Sequence, residues 1–405
     1  MKRISGARLW LGIALLATVA SVPKQLHDTL RMIPSHWSDF YSQWMGTGAL
    51  FHGTDPYTAS FTHTIEFGFY GKTPDNPKAD TQAFVYPAHA AFVLWPLSRL
   101  PWRAARIALT ALLPPLVALS AWMWMALGGL TRHRWMVVAL VACSWPAIWA
   151  YQQTQLTVVV LAAVAAGCFL LSRNLDVLAG ILFALATIKP NLAGLVILWL
   201  VVQMAIQRRW RFLSAFCVGT AGLVVASMIL FPGWIGHWII AAREYSNTPF
   251  KLPLLSLMLG HVAGMALAGA LAAGVVWRLW RLGVAAPSSA KFNYAVALIL
   301  ALTVCLIPTT IWMIYNELAL IPAVLLIFSD QQRSHPIAAI ARFGIYELLG
   351  IVPLCALVAA FLGPSTVLEY LPFVNLLIPP LLVIAVASSD AEERITAPSL
   401  APAAA

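Results

Sequence analysis

The chain has 405 residues, of which 61% are hydrophobic and only 10% charged, and its mean hydropathy is +0.81. Soluble domains run nearer a quarter charged, so the composition argues against an ordinary soluble globular protein, and the apolar content excludes disorder. The net charge of +10 would hint at nucleic acid on a soluble chain; here it reads as the Lys and Arg excess on the cytoplasmic side of a polytopic membrane protein, with no nucleic-acid partner.

A transmembrane helix needs about 20 apolar residues. The length therefore suits one membrane-embedded domain, residues 1–388, followed by a disordered Ala-, Pro- and Ser-rich cytoplasmic tail at 389–405. Met1-Lys2-Arg3 precede an apolar run from about Leu9 to Val22. A retained first helix is expected there. A cleaved signal peptide is the rival reading, since Ala17 to Ser21 offers small residues.

Residues 23–83 form the longest polar stretch and hold six of the 15 acidic residues: Asp28, Asp39, Asp55, Glu66, Asp75 and Asp80. A loop so long in so apolar a chain is expected to carry function. Apolar runs and short polar breaks then alternate over 84–100, 104–130, 135–151, 155–172, 176–188, 191–207, 212–231, 254–280, 292–308, 310–329, 340–362 and 372–388. They predict an all-α polytopic bundle of about 11–13 transmembrane helices. The run 84–100 is short and limited by prolines, a candidate for a re-entrant or interfacial piece.

The breaks with Arg132/Arg134, Arg173, Arg208/Arg209/Arg211, Arg278/Arg281/Lys291 and Arg333/Arg342 are assigned to the cytoplasm. With Lys2, Arg3, Arg8 and Arg394, that side holds 15 of the 25 basic residues. Both termini are then cytoplasmic and the 23–83 loop is extracytoplasmic. Trp102, Trp135, Trp149, Trp210, Trp234, Trp238, Trp277 and Trp280 fall at predicted helix ends, as in an interfacial belt. The five cysteines, Cys143, Cys168, Cys217, Cys305 and Cys355, sit inside apolar runs and read as small packed hydrophobes.

Ionisable groups at membrane depth are expensive and need a reason. Arg103, Arg106, Lys189, Arg243, Lys251 and Glu317 group near the predicted outer side. Asp39 lies in Ser35-His36-Trp37-Ser38-Asp39-Phe40-Tyr41, flanked by aromatics where the loop should begin an interfacial helix; a carboxylate there could take a proton from a hydroxyl, cap a helix or stay a solvated loop acid. Lys189 precedes Pro190, which ends a helix; its ammonium could hold a phosphate or snorkel to the interface. In Phe84-Val85-Tyr86-Pro87-Ala88-His89, Tyr86 and His89 could line a site or anchor at the interface. Tyr151-Gln152-Gln153-Thr154-Gln155 packs amides at an outer helix end, able to bind a sugar or to cap helices. Glu317 inside an apolar run needs a partner or a water-filled cavity. The nine histidines show no HxxxH or HExxH pattern, so no metal site is expected. No P-loop or GxGxxG opens a helix, so phosphate cradling by glycines is not indicated, and no cofactor is expected.

Several of these pieces occur together in a known order. They are Asp39-Phe40-Tyr41, Gly53-Thr54-Asp55-Pro56-Tyr57, Phe84-Val85-Tyr86-Pro87 running into Trp95-Pro96-Leu97-Ser98-Arg99-Leu100-Pro101, Gln152 to Gln155, Ala179-Gly180 leading to Lys189-Pro190, Arg208-Arg209-Trp210-Arg211, and Pro249 to Gly260. In this the chain resembles, over about residues 8–330, glycosyltransferase family 87, the polyprenyl-phosphate-mannose-dependent membrane mannosyltransferases of the GT-C superfamily. It departs from the family pattern at Ala88, where members often have proline, and at Tyr315-Asn316-Glu317, where they often carry histidine or an acid.

The resemblance implies a GT-C-like bundle in a bacterial inner membrane, with the catalytic acid, here Asp39, in the first extracytoplasmic loop. It implies a polyprenyl-phosphate donor with its tail among membrane lipid, a hexose (mannose by family expectation), and a glycolipid or glycan acceptor on the periplasmic side. The mechanism it suggests is inverting displacement. Asp39 deprotonates the acceptor hydroxyl, and Lys189, with Arg106 or Arg243, stabilises the leaving phosphate. Tyr41, Tyr86, His89, Gln152, Gln155, Tyr315 and Glu317 complete the expected substrate contacts. A transporter or flippase of lipid-linked sugars is the alternative, suited by twelve helices and a break such as Lys189-Pro190. No internal repeat pairs the two halves.

Overall fold

Leu- and Ala-rich runs favour helix by propensity, and a lipid surroundings leaves backbone polar groups no other partner than their own helix. The computed structural model describes residues 6–72, 81–130, 134–247, 252–309, 313–329 and 377–387. The run 340–362, the tail 389–405, and Arg132, Lys251, Arg333, Arg342, Asp75, Asp80 and Cys355 lie outside the described residues.

The described chain runs α1 (Gly6–Met32), α2 (Phe40–Phe51), α3 (Ala59–Tyr70), α4 (Ala90–Ser98), α5 (Trp102–Leu127), α6 (Arg134–Ala142), α7 (Trp145–Gln152), α8 (Leu156–Ser172), α9 (Asp176–Ala186) and α10 (Pro190–Ile206). It continues with α11 (Trp210–Leu230), α12 (Trp234–Ser246), α13 (Leu254–Leu259), α14 (His261–Leu282), α15 (Ala290–Leu306), a 3-10 turn (Ile314–Leu320), α16 (Ile321–Ser329) and α17 (Ile378–Ala387). A two-residue antiparallel pair, β1 (Leu252–Pro253) with β2 (Pro308–Thr309), is the only strand pairing among the described residues. The protein is an all-α polytopic membrane protein. α5, α11 and α14 are long and apolar enough to cross a bilayer, and α6 with α7 makes a fourth candidate bent by 46°.

Several predicted runs are interrupted, each for a visible reason. The 135–151 run breaks before α7, where Pro146 occupies the first helical turn. The 254–280 run breaks at Gly260, whose φ of +81° lies in the left-handed region. Within the 310–329 run a 3-10 turn, Ile314–Leu320, precedes α16. In 84–100 only the nine residues of α4 are helical, too few to span. The polar stretch 23–83 is no open loop: α1 continues through Pro23 to Met32, and α2 and α3 follow. The stretch 232–253, expected as a loop, contains the 13-residue α12.

α15 forms the middle of the bundle, buried without interruption from Phe292 to Cys305. A helix apolar on every side belongs inside. α9 packs closely against α11. A Cβ built on Gly180 would meet the Phe212 carbonyl oxygen at 2.7 Å and Ala215 Cβ at 2.9 Å, and one on Gly219 would meet Ala184 Cβ at 3.0 Å. Gly180 and Ala184 on one helix thus interlock with Ala215 and Gly219 on the other, a reciprocal spacing of four that lets backbones touch. Gly180→Leu is expected to destabilise the detergent-solubilised protein by about 1–3 kcal/mol. Gly222→Leu, at an α11 position with open space around it, should leave the melting temperature near that of the unmodified protein. Equal losses for both would refute close packing at Gly180.

Candidate active site

Asp39 sits at the N-cap position of α2 but makes no side-chain capping bond. Its Oδ2 accepts instead from Gln155 Nε2 and, at 3.1 Å, from the Tyr315 hydroxyl. Two anchors put it there. Ser38 Oγ donates to the Gln153 carbonyl at 2.8 Å. The Arg106 guanidinium, 1% exposed, donates to the carbonyls of Met32, Ser35, Trp37 and Gln152 and lies over the Trp102 ring. The segment joining α1 to α2 is thereby tied to the turn joining α7 to α8. Within that turn Thr154 adopts φ +51°, a conformation that β-branched residues resist at a cost of about 1–3 kcal/mol. The turn brings Gln155 back toward the carboxylate.

Lys189 lies in the break between α9 and α10, outside both helices, with Pro190 at the start of α10. Its Nζ donates to Thr157 Oγ1 at 2.5 Å and stands 5.3 Å from the centre of the Tyr315 ring. Thr157 Oγ1 in turn donates to Asn316 Oδ1 at 3.4 Å. Burial pushes the Lys189 ammonium down to about 8, while the negative charge of Asp39 acts in the opposite direction. Tyr315 is therefore shared: its hydroxyl rests on Asp39 and its face on Lys189.

Tyr86 closes another side. Gln43 Nε2 donates to its hydroxyl at 3.0 Å. Burial, then the nearby charge of Asp39, raises the pKa of that hydroxyl, so it stays protonated as a donor. The extended segment carrying Tyr86 is braced from outside. The Tyr57 hydroxyl donates to the Tyr86 carbonyl at 2.8 Å, and Trp238 Nε1 donates to the Val85 carbonyl at 2.9 Å. Asp55 accepts from the Tyr57 backbone N–H at 2.9 Å and pairs with His237 at 2.6 Å. The Gly53 to Tyr57 motif thus supports the Tyr86 segment.

Of the residues singled out in the sequence, Asp39, Tyr86, Gln155, Lys189 and Tyr315 come together. His89 joins them through Thr187, two residues before Lys189. Glu317 is buried on the same 3-10 turn as Tyr315. The others lie elsewhere. Arg106 was expected to face a phosphate, yet four backbone carbonyls take the donors of its two terminal nitrogens. Arg243 is exposed on α12, and among the described contacts none ties its side chain to the cluster. Tyr41 stacks on His36 with centroids 4.5 Å apart and packs edge-on to Trp102, in an aromatic group that anchors α2. Gln152 meets Arg106 through its carbonyl, while Gln155 is the amide that reaches Asp39.

Sequence reasoning missed Gln43, Thr157 and Thr187. Thr157 looks like the polar edge of an apolar run; its place two residues after Gln155 was the available signal. Among the described residues no group of three or more His, Cys, Asp and Glu is arranged to hold a metal ion.

Neither the curated proteins nor the solved structures give a match to this chain. Residues 84–309 match glycosyltransferase family 87. The matched stretch includes Tyr86, Gln155, Thr157 and Lys189, and the fold brings Asp39 and Tyr315 to them from either side of it. With more than half of its length in that match, the chain belongs to glycosyltransferase family 87 and is a membrane glycosyltransferase.

Proposed function

We propose that the protein transfers a hexose, mannose by family expectation, from a polyprenyl-phosphate donor to a hydroxyl of a glycolipid or glycan. The reaction takes place on the extracytoplasmic side of a bacterial inner membrane, with both termini cytoplasmic. The observation that carries the reading is the Tyr315 ring, which joins a carboxylate and a buried cation that are distant in sequence.

Asp39 is the base. Its carboxylate is held in one orientation by Gln155 and Tyr315 and accepts the acceptor proton as the acceptor oxygen bonds to the anomeric carbon. The bond from that carbon to the phosphate oxygen breaks on the opposite face, so the anomeric configuration inverts. Charge then grows on the lipid phosphate, and Lys189, fixed by Thr157 and Tyr315, stabilises it. A cation in place before the reaction needs no reorganisation, and water-poor surroundings strengthen its field. Arg106 acts by holding the Asp39 segment against the Gln155 turn, and Lys189 carries the phosphate alone among the cations of the cluster. Holding both substrates between fixed groups also favours transfer over hydrolysis.

The test is incubation of membranes containing the protein with labelled polyprenyl-phosphate mannose, glucose, galactose and arabinose. Label is expected to leave one of the hexosyl lipids and reach a glycolipid or glycan with inverted anomeric configuration. A retained configuration would overturn the displacement scheme. Movement of intact donor across vesicles without its consumption would mark a flippase instead.

A further inference from the structure

Two aromatic rings beside the Tyr86 segment carry buried polar atoms that no group among the described residues satisfies. His89 is 5% exposed and Trp234 is 3% exposed, and their rings meet edge to face with centroids 5.9 Å apart. The Thr187 hydroxyl has one proton, and it goes to the Ala184 carbonyl at 2.6 Å. It can only accept, therefore, from His89 Nε2 at 3.1 Å. That fixes the tautomer: Nε2 carries the hydrogen and Nδ1 presents a bare lone pair. Burial lowers the His89 pKa, which keeps the ring neutral and Nδ1 an acceptor.

Among the described residues neither His89 Nδ1 nor the Trp234 Nε1–H has a partner. Buried polar atoms without partners are uncommon and call for an explanation. The two orphans are complementary, one accepting and one donating. A hydroxyl group supplies one of each. From these positions we infer that His89 and Trp234 form a hydroxyl-recognising subsite for the transferred sugar, reading one hydroxyl or two on neighbouring carbons. Thr187 stands two residues before Lys189, so the subsite adjoins the cation assigned to the leaving phosphate. That places the recognised hydroxyl on the donor sugar. The inference rests on the donor assignment made under Proposed function and adds to it a determinant of sugar specificity. A trapped water would satisfy the same atoms, and the test separates the two.

The test pairs protein variants with monodeoxy donors. Transfer from the accepted polyprenyl-phosphate hexose is measured for the unmodified protein and for His89→Phe, together with donors lacking one hydroxyl at a time. One deoxy position is expected to lower kcat/KM about 10- to 100-fold with the unmodified protein. The same deoxy donor should bring little further loss with His89→Phe, because the partner is already gone. Trp234→Phe provides a second arm, removing the N–H while keeping an aromatic ring, and it should show the same non-additivity at the same or an adjacent carbon. Losses that add at every position in both variants would overturn the subsite and point to a trapped water only. If the unmodified protein uses none of the intact lipid-phosphate hexoses, the donor assignment itself fails and the subsite fails with it.

Discussion

Asp39→Asn is expected to lower sugar transfer by about 10²–10⁴-fold, the usual contribution of a positioned base, with folding and membrane insertion intact. The substitution is nearly isosteric. The amide oxygen can still accept from Gln155 Nε2 and the Tyr315 hydroxyl, which donate to the native carboxylate. The anchors from Ser38 and Arg106 run through other atoms and are untouched. Basicity is removed, and with it the negative charge that supports the Lys189 ammonium. The check is initial-rate transfer from the lipid-phosphate donor, beside a thermal melt in detergent. A variant that melts like the unmodified protein but transfers no sugar supports the base assignment. Full transfer by Asp39→Asn would reject it. Asp39→Glu offers a second view: it keeps the charge but moves the carboxylate by about one carbon–carbon bond, and should recover only part of the rate because reacting groups must be placed to within about 1 Å.

Helix identity was the most legible feature of this chain, because apolar runs of about 20 residues have few other uses. Their interruptions were harder to read. Pro146 and Gly260 mark two breaks after the fact, yet prolines at 114 and 115 sit inside α5 without ending it. The start of α2 was legible, since Asp39 stands where an interfacial helix was expected to begin, but its extent was not, because it is packed on several sides by small and polar residues. Gln43, Gly46 and Thr47 are all buried, so no apolar stripe of period 3.6 survives. A Cβ on Gly46 would strike the Phe84 ring, which shows how closely α2 lies against the Tyr86 segment.

The site was legible only in part, and for a related reason. Lys189 stood out as a charge between apolar runs and Asp39 as an acid flanked by aromatics, but only the fold brings them to one tyrosine. Arg106 carried the same signal and does different work. Sequence reports that a cation is near an outer helix end; it does not report that the carbonyls of Met32, Ser35, Trp37 and Gln152 converge on it. A buried arginine whose two terminal nitrogens are taken up by four backbone carbonyls is a structural clamp, even though the Arg106 Nε–H finds no partner among the described residues. Lys189 differs because it rests on a threonine hydroxyl and an aromatic face, and one such bond leaves an ammonium with two more hydrogens to donate.

Replacing Lys189 should give the second large effect, together with a pH signature that separates chemistry from unfolding. Lys189→Met is expected to lower kcat by about 10²–10³-fold, the loss typical when one preorganised partner of a developing charge is removed. In the unmodified protein the ammonium titrates at about 8, below the ordinary lysine value of 10.5, chiefly because it is buried. It is charged below that pH and neutral above it, so transfer should decline as pH rises through about 8. Stability moves the other way. Between about 8 and 10.5 the unfolded chain keeps the lysine proton while the folded protein has released it. Stability rises with pH wherever the unfolded state binds more protons, so this group makes the fold more stable across that interval. Tyr57 and Tyr86, whose pKa values are raised by burial, oppose it only above about 10, where an unfolded tyrosine begins to ionise. Relative to Lys189→Met, the unmodified protein should thus gain melting temperature between pH 8 and 10 while its transfer falls, and Lys189→Met should lose the alkaline decline along with most of its rate. A decline that persists in Lys189→Met, or that tracks a falling melting temperature, would place the ionisation elsewhere and remove Lys189 from the leaving phosphate.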